Sequence, residues 1–226
     1  GSISRHGSGT LKWAVDGPEL SLRDYCRLMM AISDNVATDA LIGLLGLEAI
    51  NATMQSLGYP NLHTGATLTR FHYAMAGMTN APGIPQNDQR MMERIQAYGI
   101  DRDCASFADD PANNLAAPGE MGRLLGRLCR GEIIDAEASV GMVEMLGLAA
   151  NRDMIPRYLD PGVDIAHKFG SSGRIKADVG IVYLPGGPLV VSAFALAAAA
   201  ADGAAAIAEL TRLAVGALAP ASVKEG

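Results

Sequence analysis

The strongest constraint on the fold lies late in the chain, in Val163–Leu184, VDIAHKFGSSGRIKADVGIVYL. Two apolar runs, Ile165–Phe169 and Val179–Leu184, flank Gly170-Ser171-Ser172-Gly173, which is the composition of a β-hairpin. Leu189–Leu196 follows as a third apolar run and reads as a fully buried strand. Upstream, apolar residues recur at helical spacing between glycine and proline breaks. Strands gathered at one end of a helical chain define an α+β class with an antiparallel sheet. The expected organisation is a helical lobe over 1–160 and a sheet lobe over 161–226. A last helix, capped by Asp202 and turning Ile207, Leu210, Ala214 and Leu218 inward, would cover the sheet.

In the helical part, Ser21 and Asp24 form a capping box ahead of Leu22, Tyr25, Cys26, Met29 and Ile32, one apolar stripe. Ser33-Asp34-Asn35 interrupts this helix. Two more, about 37–45 and 48–57, end at Gly46 and Gly58. From 59 to 86 the pattern fails, so a long loop is expected. Asn87 or Asp88 caps a helix closed by Gly99, Pro118 opens another, and Asp135 caps a third.

Net charge is -6 and the pI about 5.2, with no basic stripe, which argues against a nucleic-acid partner. Cys26, Cys104 and Cys129 are too scattered for a zinc site or a disulfide framework, so no metal is expected. The longest apolar stretch, Leu189–Ala201, is too short to span a membrane.

Two positions carry chemistry that a plain core would not need. Lys168 sits inside an apolar strand, where an ammonium requires a counter-charge or an open cleft. The alternative is a lysine snorkelling at the sheet rim. Gly170, two places on, permits close approach of a ligand to the backbone. Ser33-Asp34-Asn35 reads either as a helix cap or as a polar tripeptide between helices. Ser-Asp-Asn followed far downstream by a Lys-x-Gly strand is the order of motifs in penicillin-recognising enzymes.

The segments 20–58 and 167–191, with Asp153-Met154-Ile155-Pro156 before the second, resemble class A β-lactamases and their serine-hydrolase relatives of the penicillin-binding fold. That resemblance implies a β-lactamase-like fold and acyl transfer on a β-lactam or related amide or ester through an acyl-serine. It makes Ser33 a proton relay, Asn35 a ligand for the substrate's side-chain amide and Lys168 a source of positive charge for Ser33 and the substrate carboxylate. It makes the Ser171 N–H an oxyanion donor. Ser172 and Arg174, with Gly170, would line the substrate-binding strand. The implied partner is a small molecule, no cofactor is called for, and the implied location is periplasmic or secreted.

The departures are equally specific. No Ser-x-x-Lys precedes Ser33, so an N-terminally truncated chain that is inactive alone is expected. Two family strands would be missing beside Leu189–Leu196, leaving that run as an apolar edge open to strand pairing. Phe169 stands where the family carries a hydroxyl. From Ala49 to Asn87 there is no Asp or Glu to serve as a deacylating base; the loop offers His63 and His72, which read otherwise as ordinary loop histidines, and Glu93 on the following helix is a weaker substitute. The likeness lapses over 63–115. A non-catalytic protein binding cell-wall peptide or a protein partner, or a site completed by another chain, are the rival readings.

Overall fold

A computed structural model describes residues 6–14, 19–173, 175–197 and 199–224. The chain divides into two compact units, Gly1–Ala117 and Pro118–Gly226.

The first unit is helical. Its α1 (Leu22–Ile32) begins as read: the Ser21 Oγ accepts the Asp24 N–H at 3.2 Å, and the Asp24 carboxylate accepts the Ser21 N–H. No residue of α1 is fully buried and Leu22 is exposed, so the apolar stripe is shallower than expected. Next come α2 (Asn35–Leu45) and α3 (Leu47–Ser56), then β1 (Leu62–Thr64). Part of the stretch expected to be loop is helical, as α4 (Leu68–Met75). Its cap is partly remote: the Asp39 carboxylate on α2 accepts the Leu68 N–H at 2.6 Å and the Thr69 N–H at 2.9 Å. A cap supplied from another helix leaves no mark in the local sequence.

Helix α5 (Pro85–Tyr98) starts at its proline, ahead of Asn87 and Asp88. Asp88 is buried instead and accepts the Tyr73 hydroxyl at 2.6 Å. Tyr73, Ala76, Met78 and Met91 form the core there. Strand β2 (Asn114–Ala116) returns antiparallel to β1. Asn51 clamps this ribbon, accepting the Thr64 N–H and donating to the Thr64 carbonyl.

The second unit starts with α6 (Pro118–Cys129) and α7 (Ala136–Leu146), the latter capped by Asp135 as read. Strands β3 (Ile165–Ser172), β4 (Ile175–Leu184) and β5 (Gly187–Leu196) make an antiparallel sheet in the order β3-β4-β5. Ser172 pairs with Ile175, so Gly170-Ser171-Ser172 is strand and not turn, and Gly173 has φ 51°. Helix α8 (Ala200–Leu218) lies on β4 and β5 over a core of Ile155, Leu159, Val182, Val191 and Val215. Asp202 falls inside its first turn, not at the cap, which is Ala199.

The inward face of α8 is Ile207, Ala208, Thr211 and Val215, while Leu210 and Leu218 are exposed. In so alanine-rich a helix two stripes can be drawn; the sheet accepts the one with smaller residues. Strand β5 is likewise not fully buried. Val191 and Ala193 face the core, Leu196 is 73% exposed, and among the described residues β5 has one strand neighbour, β4. Compactness therefore divides the chain ahead of the 160/161 position read from the sequence, because α6 and α7 pack on the strands. Among the described residues no single helix is long and apolar enough to cross a membrane.

Candidate active site

Ser33-Asp34-Asn35 occupies the junction of α1 and α2. Ser33 is the C-cap of α1 with left-handed backbone angles, φ 55° and ψ 44°, a conformation costly for a residue with a side chain. What holds it there is Asp34, which is wholly buried. One carboxylate oxygen accepts the Ala37 N–H at 3.0 Å and so caps α2. The other accepts the Thr10 N–H at 2.6 Å and the Leu11 N–H at 2.9 Å. The cap alternative is thus right for Asp34, and it leaves Ser33 and Asn35 on either side of a fixed carboxylate.

The partner of this loop is the strap His6-Gly7-Ser8-Gly9-Thr10, a stretch whose glycines mark a turn but carry no family motif. The Ser8 Oγ lies 2.6 Å from the Ser33 carbonyl and 2.9 Å from Asn35 Oδ1, and the Ser8 carbonyl accepts the Asn35 N–H at 3.1 Å. Gly9 has φ 97°, and a Cβ there would stand 2.2 Å from the Asp34 carboxylate, so only glycine lets the strap lie this close.

His6 anchors the strap, stacked edge-on against His72 with ring centroids 4.7 Å apart. Neither of its ring nitrogens has a hydrogen-bond partner among the described residues. Burial first, and His72 second, push His6 down to about 4, against the pull of Asp88 and Asp39. A detached His6 would take its proton near 6.5. Strap stability is therefore whole above about pH 6.5 and is lost as pH falls towards 4, by at most about 1.4 kcal/mol per pH unit. Amide exchange at Thr10, Leu11 and Asn35 should speed up through that window, and His6→Phe should flatten the dependence. An acid response unchanged in that variant would assign it elsewhere.

In the second unit, Lys168, Gly170, Ser171 and Ser172 line up along β3. The partly buried Lys168 Nζ donates to the Phe169 carbonyl at 2.6 Å and stands 4.4 Å from the centroid of the Phe169 ring. Burial pushes its pKa down to about 8, with Asp178 acting in the opposite direction. A Cβ at Gly170 would meet Ala177 at an ordinary 3.9 Å, so the backbone there is open. Ser171 is exposed and its hydroxyl accepts from the Lys176 ammonium. Arg174 lies outside the described residues.

Asp178 and its neighbour His167 are residues the motif reading passed over. They are 0% and 1% exposed, and the His167 Nδ1 lies 2.8 Å from Asp178 Oδ1. A polar, titratable side chain inside each of two otherwise apolar strands was the available signal. Of the substitute bases, His63 Nε2 bonds the Pro111 carbonyl and His72 Nδ1 the Leu68 carbonyl, while Glu93 takes a hydrogen bond from Gln89. Burial lowers the His72 pKa. Among the described residues no three His, Cys, Asp or Glu are grouped to hold a metal ion, and all three cysteines are free thiols.

A helical unit and an antiparallel sheet carrying these two tripeptides define the serine β-lactamase class of fold. Residues 2–218 match the model of the Beta-lactamase enzyme family, and the chain belongs to that family. Among solved structures it is similar to a β-lactamase from Sphaerobacter thermophilus DSM 20745, at 30% identity and a TM-score of 0.73, covering 96% of this chain and 70% of that one. It is similar in fold to PBP-A, at 21% identity and a TM-score of 0.71, with 94% and 67% covered. An ancestral class A β-lactamase shares the fold at 21% identity and a TM-score of 0.65, with 89% and 67% covered. No curated protein matches.

Proposed function

We propose that this chain carries the substrate-recognition residues of a β-lactamase-type serine hydrolase. Ser33 passes a proton towards the leaving nitrogen of the scissile amide, and Asn35 bonds the substrate's side-chain amide. Lys168 offers positive charge to the substrate carboxylate, with Gly170, Ser171 and Ser172 along the same strand, and Arg174 is the further substrate-binding residue that the likeness implies. The Ser171 N–H is one donor to the tetrahedral oxyanion. The family match supports this reading, because residues 2–218 take in both Ser33-Asp34-Asn35 and Lys168-Phe169-Gly170. The substrate class is a β-lactam or a related amide or ester, and an exported location follows from the same likeness.

The nucleophile is not among these residues. No serine of the sequence is followed by lysine at the third position, so the 226 residues by themselves form no acyl-enzyme. A fluorescent reporter penicillin followed by a denaturing gel should leave the chain unlabelled. Amide signals of Asn35, Ser171 and Ser172 should nonetheless move when penicillin is titrated in. A covalent band would overturn the first statement; an unmoved spectrum at millimolar penicillin would overturn the second.

One observation favours binding without turnover. Phe169 brings a ring in place of the expected hydroxyl, and its own carbonyl takes a hydrogen bond from the Lys168 ammonium. On that reading the ligand is cell-wall peptide, and peptide should move the same amide signals more strongly than penicillin does.

A further inference from the structure

Behind Lys168 lies a buried polar pair with no role in the site just described. In the β3–β4 ladder His167 pairs with Gly180 and Phe169 with Asp178. His167 and Asp178 are therefore diagonal neighbours on one face of the strand pair, and Lys168 leaves the backbone towards the other. One oxygen of Asp178 takes the His167 Nδ1 at 2.8 Å, and the other takes the Ile155 N–H at 3.0 Å. His167 Nε2 has no partner among the described residues. Gly180 makes the room: a Cβ there would stand 2.5 Å from the His167 Cβ and 2.8 Å from the Ala166 carbonyl.

Ile155, whose N–H meets Asp178, and Val182, on the same face of β4 as Asp178, are wholly buried and belong to the apolar core of this unit. Two apolar side chains would fill the same space without desolvating a carboxylate. Packing alone does not account for the pair. What the pair does accomplish is to fasten three segments together: β3 through His167, β4 through Asp178, and the turn Asp153-Met154-Ile155-Pro156 through the Ile155 N–H.

We infer that Asp178 and His167 are positioning residues for Lys168, fixing the strand that carries it and supplying the negative potential its ammonium feels. The inference rests on Lys168 being the cation of the proposed site. Burial and Asp178 pull the titration of Lys168 in opposite directions, burial more strongly, so the carboxylate offsets part of what burial costs the ammonium. Among the described residues, several other charged groups on the elements around it are engaged with one another or exposed. Lys176 of β4 donates to Ser171, Glu120 of α6 lies 3.8 Å from Arg123, and Glu209 and Arg212 of α8 pair with each other. Glu137 and Glu144 of α7 and Asp202 of α8 are exposed.

The test is a titration of the intact chain after reductive methylation with carbon-13 formaldehyde, which labels Lys12, Lys168, Lys176 and Lys224. Lys168 should titrate near 8 in the parent chain. Asp178→Asn should lower that midpoint by about one unit, leaving the other lysines unmoved. His167→Gln can still donate to Asp178 and should hold the parent value. His167→Leu removes the donor, leaves the carboxylate's charge less compensated and should raise the midpoint. These histidine variants decide the matter if Asp178→Asn does not fold.

A Lys168 midpoint indifferent to both Asp178→Asn and His167→Leu overturns the inference. If the midpoint follows Asp178 while penicillin leaves the Ser171 and Ser172 signals unmoved, the pair stands and the site assignment falls. Penicillin shifts without any Asp178 effect give the converse.

Discussion

Alanine at position 34 should lower the stability of the first unit by about 3–5 kcal/mol. The Asp34 carboxylate is wholly buried and receives three backbone N–H groups, from Thr10, Leu11 and Ala37. Hydrogen bonds to a charged group contribute about 1.5–3 kcal/mol each, and the donors left behind would be only partly rehydrated. The loss would not be uniform. With the cap of α2 gone and the strap loosened, Ser33 should relax more readily out of its left-handed conformation. Asp34→Asn keeps one acceptor oxygen and should lose about half as much. Denaturant unfolding measures the first effect, and amide exchange at Asn35 the second. A loss below about 1 kcal/mol for Asp34→Ala would mean that the strap is held by other contacts.

Gly180→Ala is the second large effect, about 2–3 kcal/mol of destabilisation. Opposed residues of a strand pair normally hold their Cβ atoms about 4.5–5.5 Å apart. Here the added Cβ would lie 2.5 Å from that of His167, with the Ala166 carbonyl at 2.8 Å, so backbone must shift on one strand. The comparison is Gly170→Ala on β3, whose Cβ meets Ala177 at 3.9 Å and which should be close to neutral in stability. Thermal unfolding of the two variants separates a glycine demanded by packing from one whose added Cβ meets only an ordinary contact. Equal losses would show that strand entropy, and not the His167 contact, governs both.

The open side of β5 bears on how the protein behaves in isolation. Phe194 and Leu196 are exposed, and the strand has a single neighbour among the described residues. Edges of this kind invite pairing with another strand. Leu189–Leu196, read from the sequence as a fully buried strand, is buried along one face only.

Much of the local structure was legible in the residues. The capping box at Ser21, the proline opening α6, the Asp135 cap and the three apolar runs of the sheet each depend on neighbours within a few positions, and each formed where read. The family was legible for the same reason. Ser33-Asp34-Asn35 and Lys168-x-Gly170 are contiguous tripeptides, and their order along the chain survives without any knowledge of contacts. The misread face of α8 had no such help. Alanine contributes too little contrast to mark a stripe, and the sheet beneath chose which face to bury.

The amino-acid order by itself determined most of the longer elements, most caps and the family. Only tertiary structure decided the helix at 68–75, the strap over Asp34 and the pairing of His167 with Asp178. In each of these a side chain meets a group 11 to 29 positions away, through hydrogen bonds that carry no periodicity. Such contacts become favourable only once the elements have packed and water has left, so no window of local sequence can display them.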